Sequence, residues 1–222
     1  MGLAHALPAF EGPRAAARKF YMASLYDLKP RFQALLRPLA RGLLRAGVTP
    51  NAVTLAALLL SVAMGAALAA RPVSAWVLAA VPPVLLVRMA LNALDGMMAR
   101  EGGRESKLGL VLNEVGDILA DGAIYLPFAL ALGVHPLLAA GFVLLAAASE
   151  AAGLAGIATG NGRRYDGPFG KSDRAAAIGA LAIVAAAGVP FAGWIGWAFG
   201  ALCALAALTV VNRIAKAARG AP

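Results

Sequence analysis

The stretch NALDGMMAR at residues 92–100, followed by LGLVLNEVGDILAD at 108–121, decides how this chain folds, because it sets Asp95, Glu114, Asp117 and Asp121 inside otherwise apolar sequence. A charged side chain at the centre of a bilayer costs about 2.5–3.5 kcal/mol on insertion scales, so intramembrane acids mark a site of work.

The surrounding composition establishes that solvent. Hydrophobic residues make up 61% of the chain, charged residues only 14%, and the mean hydropathy is +0.76. These values describe an integral membrane protein rather than a soluble domain. The net charge of +9 invites a nucleic-acid reading, but aromatics amount to 7% and the basic residues lie between apolar runs. They are better explained as a topology signal, and no nucleic-acid partner is expected. The single Cys203 excludes an internal disulfide and a cysteine metal cluster.

A helical crossing takes about 20 apolar residues. Six candidates follow, at 51–70, 73–94, 108–132, 136–159, 174–191 and 194–212. Eighteen of the 20 Lys and Arg residues fall in the N-terminal 50 residues, in 99–107, in 160–174 or in the tail; only Arg71 and Arg88 fall elsewhere. The positive-inside rule then places both termini in the cytoplasm of a multi-pass protein of the cell (inner) membrane. The expectation is an all-α polytopic integral membrane protein, six transmembrane helices preceded by a cytoplasmic amphipathic helix.

The N-terminal region carries Arg14, Arg18 and Lys19 but no apolar core at signal-peptide distance, so it reads as cytoplasmic structure. Leu28, Phe32, Leu35, Leu36, Leu39, Leu43 and Leu44 recur at helical spacing among Arg31, Arg37, Arg41 and Arg45, with Pro38 expected to bend or restart the helix. An interfacial helix or a basic anchor for anionic lipid both suit this pattern. Thr49 and Pro50 supply an N-cap and a proline at the first helical position. The resulting division is an N-terminal segment at 1–48, a membrane domain at 49–216 and a tail at 217–222.

Asn92, Asp95, Gly96 and Ala99 share one helical face, and Gly109, Asn113, Asp117 and Asp121 recur every fourth residue on the next helix. Each four-residue step departs from alignment by only about 40°, so the second series forms one stripe. Oxygen donors from Asp and Asn favour magnesium, manganese or calcium over zinc. Gly96 and Gly109 permit close approach of a helix or a ligand.

These residues resemble the signature of the CDP-alcohol phosphotransferase family, DxxDGxxAR, eight residues, then GxxxDxxxD. Here it reads NALDGMMAR, EGGRESKL, GLVLNEVGD, with the spacing kept across 26 residues. TPNAVT at 49–54 is similar to the PNxxT opening of the first helix in many members. The chain departs from the pattern at the first and third aspartates, which are Asn92 and Asn113, two negative charges fewer. Glu114 or Asp121 could compensate.

The resemblance implies transfer of a phosphatidyl group from a CDP-linked lipid such as CDP-diacylglycerol to an alcohol, small or lipid, with release of CMP. It implies a divalent metal, Mg²⁺ or Mn²⁺ with Ca²⁺ non-productive, on Asp95, Asn92, Asn113, Asp117 and Asp121, and Asp117 as general base. Gly96, Ala99, Arg100, Ser106, Gly109, Asn51 and Thr54 would meet the nucleotide and its phosphates, and membrane lipids and a second copy in a homodimer would be partners.

YDGPFGKSDRA at 165–175 resembles a GKxK-like element on the acceptor side in some members. Lys171, Arg174 and Arg163, with Arg164 nearby, could hold an anionic acceptor. Ordinary positive-inside loops look the same. Glu150, deep in the fourth candidate span, has no evident partner in sequence. Two other functional classes remain: a catalytically impaired relative that binds nucleotide or lipid, and an ion-coupled transporter, which the absence of an internal repeat and the cytoplasmic-end placement of the acids disfavour.

Overall fold

The computed structural model describes residues 29–70 and 73–219. The basic positions Arg14, Arg18 and Lys19, the loop residue Arg71 and the last three residues of the tail lie outside them. Within the described residues the chain is all helical: α1 (Lys29–Arg45), α2 (Pro50–Ala69), α3 (Ala75–Glu101), α4 (Lys107–Ala131), α5 (Pro136–Ala158), α6 (Lys171–Ala186) and α7 (Ile195–Ala218).

Local chemistry sets the helix starts. The Thr49 side chain accepts from the Ala52 amide at 3.2 Å, Ser74 from Val77 at 3.4 Å and Ser106 from Gly109 at 2.9 Å. Asp173 accepts from the Gly170 amide at 2.9 Å and so caps α6. α1 runs through Pro38 without interruption, where the sequence suggested a bend or restart.

Four helices, α2, α3, α5 and α7, are long and apolar enough to cross a membrane. The other two expected spans differ. α4 is 25 residues long but carries the acidic stripe. α6 has only 16 residues, beginning at Lys171 and ending at Ala186, whereas a span over 174–191 was expected. At 1.5 Å per residue such a helix covers about 24 Å, short of a hydrocarbon layer of about 30 Å.

α2 packs on α4 and α3, α3 on α6, and α5 on α7 and α4. The main core centres on Phe142, whose ring lies 5.7 Å from Tyr125, 6.5 Å from Phe169 and 5.5 Å edge-on from Phe199. α1 docks on the end of α3: Ala40, Leu36, Leu43 and Leu44 meet Leu94, Met97 and Met98. Arg37 and Arg41 reach Glu101 at 3.0 and 3.5 Å. The outer surface is apolar, with Leu59, Leu86, Leu137 and Leu144 exposed. All three tryptophans, Trp76, Trp194 and Trp197, lie at the starts of α3 and α7.

The α2–α4 crossing depends on Gly65. A Cβ there would lie 1.9 Å from the Ala123 carbonyl oxygen, so only glycine admits this approach. Gly65→Ala should lower the thermal midpoint in detergent, with a loss of about 1–3 kcal/mol from overpacking. Gly141→Ala, where a Cβ meets nothing within 4 Å, should leave the midpoint unchanged or raise it.

Candidate functional site

The C-terminal half of α3 and the N-terminal half of α4 bring the two polar stripes face to face. Asp95, 4% exposed, accepts from the Thr54 hydroxyl of α2 at 2.7 Å. One helical turn earlier on α3, Asn92 donates through Nδ2 to Asp117 Oδ1 of α4 at 2.6 Å. Lys171, the first residue of α6, pairs with that same Oδ1, and neither contact uses Oδ2. Asp95 lies within electrostatic reach of both Asp117 and Lys171. Asn113 Oδ1 is buried on the α4 stripe with no hydrogen-bond partner among the described residues.

The nucleotide-side candidates gather at the same end. A Cβ on Gly109 would meet Asn51 Oδ1 at 2.9 Å and Ser106 Oγ at 3.0 Å, so the missing side chain lets α2 approach the start of α4. A Cβ on Gly96 would sit 3.4 Å from Arg100 Nη1, which places the guanidinium across the bare backbone of that turn. Ala99 is half-buried beside it.

Asp121, Arg174 and Glu114, all expected contributors, are engaged elsewhere. Asp121 receives Arg88 of its neighbour α3 at one oxygen and Arg174 of α6 at the other, the latter at 3.1 Å. Arg174 is fully buried and also reaches Glu150 Oε1 at 2.8 Å and Ser149 Oγ at 2.9 Å. With this coordination Arg174 is not exposed to a loop-side acceptor, nor does Asp121 point a free carboxylate into the centre. Glu114, the other compensating candidate, is ion-paired with Arg163, whose second nitrogen reaches Glu150 at 3.2 Å.

Glu150, apparently unpaired in the sequence, is therefore the hub of a lattice. Arg213 of α7 joins it at 3.5 Å, donates to the Ser149 carbonyl at 2.6 Å and to the Asp166 carbonyl at 3.2 Å. Arg88 also donates to the Asp117 backbone carbonyl at 3.4 Å, which ties the lattice to the α4 stripe. Sequence reasoning missed Arg88 and Arg213 as parts of this arrangement. Their signal was present: basic residues in or at the end of apolar helices require acidic partners at matching depth. Outside the bundle, burial works against ionisation of Asp166, but the Lys216 hydrogen bond and the charges of Lys216 and Arg164 outweigh it and hold its carboxyl below the ordinary value. That contribution is present at neutral pH and lost as acid protonates the group.

The donor set is all oxygen and amide: carboxylates Asp95 and Asp117, amides Asn92 and Asn113. Among the described residues no three His, Cys, Asp or Glu side chains group as a metal cage. The orphaned Asn113 oxygen and the Asp95 carboxylate nonetheless fit a hard cation that accepts carbonyl as well as carboxylate ligands.

Residues 47–211 match the profile of one family, CDP-alcohol phosphatidyltransferase. The chain belongs to that family. It is 46% identical over 158 residues to the inner membrane protein YnbA of Escherichia coli, covering 70% of this chain and 77% of that protein. It is 33% identical over 142 residues to the phosphatidylinositol phosphate synthase of Mycobacterium tuberculosis, covering 62% of this chain and 64% of the relative. The fold is similar to the crystal structure of the M. tuberculosis synthase in complex with manganese and citrate, with a TM-score of 0.67, 26% identity, and coverage of 81% and 87% of the two chains. A second structure of that synthase, with CDP-DAG bound, superposes with a TM-score of 0.66.

Removing one partner of a buried pair leaves a charge uncompensated and costs about 3–5 kcal/mol. Glu150→Gln should therefore strongly lower the unfolding midpoint in detergent. Lys216→Ala, which breaks a half-exposed contact with Asp166, should cost below about 1 kcal/mol in the same assay.

Proposed function

We propose that this protein is a membrane transferase that moves a phosphatidyl group from CDP-diacylglycerol or a similar CDP-linked lipid to an alcohol acceptor, releasing CMP, in phospholipid biosynthesis. The observation that carries the reading is the facing pair of Asp95, held by Thr54, and Asp117, held by Asn92 and Lys171, within a chain of this family. The signature positions read Asn92, Asp95, Asn113 and Asp117, so this is a member with two carboxylates and two amides in that set.

Asp117 takes the proton from the acceptor hydroxyl as the oxygen attacks the phosphorus bearing the lipid; the bond from that phosphorus to the CMP oxygen breaks, and CMP leaves with the electron pair. Asp95, Asn92 and Asn113, with Asp117, would hold Mg²⁺ or Mn²⁺, which when bound supplies charge neutralisation to the diphosphate and the leaving CMP. Ca²⁺ would occupy the same oxygens without supporting turnover. The manganese and CDP-DAG in the Mycobacterium structures support these choices. Arg100, across Gly96, meets phosphate, and Asn51, Thr54, Ala99, Ser106 and Gly109 shape the nucleotide side. Lys171 and Arg163 face the acceptor, while Asp121 and Arg174 serve by holding α3, α4 and α6 in place.

The topology belongs to the same proposal. Six helices of a membrane domain at 49–216 cross the inner membrane, with α4 admitted because its polar residues are turned into the bundle and the shorter α6 accommodated by local thinning of the layer. The N-terminal segment 1–48, its α1 helix at the interface, and the tail 217–222 lie in the cytoplasm. Contacts at one end support this: Arg37 with Glu101, and Asn161 with the Ala217 and Arg219 carbonyls at 2.9 and 3.2 Å. The tryptophans at the other ends of α3 and α7 suit the opposite interface. A homodimer is the expected assembly.

Purified protein incubated with CDP-diacylglycerol, Mg²⁺ or Mn²⁺ and a panel of alcohols, phosphorylated and not, should release CMP with at least one acceptor. No CMP with any acceptor would overturn catalysis in favour of nucleotide or lipid binding alone. Asp117→Asn should still fold yet lose about 10²–10⁴-fold in turnover, the usual contribution of a positioned general base; undiminished CMP release would remove Asp117 from that role.

A further inference from the structure

Among the buried acids Asp95, Glu114, Asp121 and Glu150, every one but Asp95 has an arginine within ion-pair distance among the described residues. Asp117, the remaining carboxylate of the centre, is covered by Lys171. The protein thus provides its own cation for each acid of the two facing stripes except one. Asn92 fits the same scheme. An aspartate at that position would set a second carboxylate against Asp117 Oδ1 and demand a multivalent ion between them, whereas the Asn92 amide donates to that oxygen at 2.6 Å.

We infer that the Lys171 ammonium is a built-in counter-cation at Asp117 Oδ1, so that the centre takes a single divalent ion, on Asp95, the amide oxygens of Asn92 and Asn113 and the uncovered Asp117 Oδ2. A second divalent ion would have to share Asp117 Oδ1 with Lys171, and two cations on one oxygen repel in a site whose lysine and aspartate side chains are only 25% and 14% exposed. Asp121 and Glu114 give no alternative seat, because arginines of α3, α6 and the α5–α6 loop already occupy them. Lys171 thereby gains a task beyond acceptor binding: it fixes how many metal ions the centre admits. This rests on the reading that the centre holds a divalent cation.

Titration of the purified full chain in detergent with Mn²⁺, counting free ion by electron paramagnetic resonance, separates the two. The wild-type protein should bind one Mn²⁺ per chain with a magnetically isolated spectrum. Lys171→Met, which removes the charge and keeps the stem, should bind two and show exchange broadening, while Lys171→Arg should stay at one. Lys171→Gln serves as a second neutral variant if the methionine protein fails to elute as a folded species. Two ions in the wild type, or one ion in both neutral variants at unchanged affinity, would overturn the inference while leaving the metal reading intact. No bound Mn²⁺ in any form sinks that reading and the inference with it, and CMP release by the wild type reports independently on catalysis.

Discussion

The buried charge lattice around Asp121 and Glu150 is the constraint on which the rest of this structure depends. Arg88 from α3, Arg174 from α6, Arg163 from the α5–α6 loop and Arg213 from α7 converge on acids of α4 and α5. In a bilayer the apolar faces of helices gain little by leaving lipid for one another, since lipid tails are as apolar as leucine. Specificity of packing must come from close steric fit and from polar groups that have no other partner. Here a fully buried Arg174 and its three acceptors fix the relative depth of α4, α5 and α6, because sliding any helix by one turn would strand a charge. Glycines complete the fit: Gly65 brings α2 onto Ala123 of α4, and Gly153 leaves room for the Arg164 carbonyl, 2.8 Å from where a Cβ would stand.

With those helices fixed, the centre next to the lattice can afford groups that are not mutually neutralised. Arg88 reaches both Asp121 and the Asp117 backbone, so the same residue that anchors the bundle also sets the height of the Asp117 carboxylate. Asp95 is steadied by two neutral donors, the Thr54 hydroxyl and the Gly96 amide, and Asn113 leaves an oxygen orphaned. A buried acid with only neutral donors and a buried carbonyl with none are poorly solvated as they stand, and both are improved by a hard cation. Stability and receptivity are thus separated by about one helical turn along α4.

Much of this was legible in the chain. The periodicity of Asn92, Asp95, Gly96 and Ala99 does put them on one face, and Thr49 with Pro50 does start α2. Helix existence followed from apolar length, because a backbone in lipid has to satisfy its own hydrogen bonds. The partners of the charges were not legible. Glu150 and Arg213 are 63 positions apart, and Arg88 and Asp121 are 33 apart; no local spacing rule connects such pairs. The YDGPFGKSDRA stretch at 165–175 suggested an acceptor-binding element, yet its Asp173 caps α6 while Lys171 turns to Asp117. The same cap starts α6 three residues earlier than the apolar pattern indicated.

The sequence by itself determined the solvent, the helical class, the oxygen-only character of the centre and the family, because hydropathy, helical period and motif spacing are properties of short segments. Which carboxylates are free was decided only by tertiary structure. Asp121 and Glu114 have the right chemistry and the right helix face to stand in for the absent aspartates, but arginines from elements distant in sequence reach them first. Ion pairing in a medium of low dielectric depends on where two groups lie in space, and that is set by the packing of all the helices together.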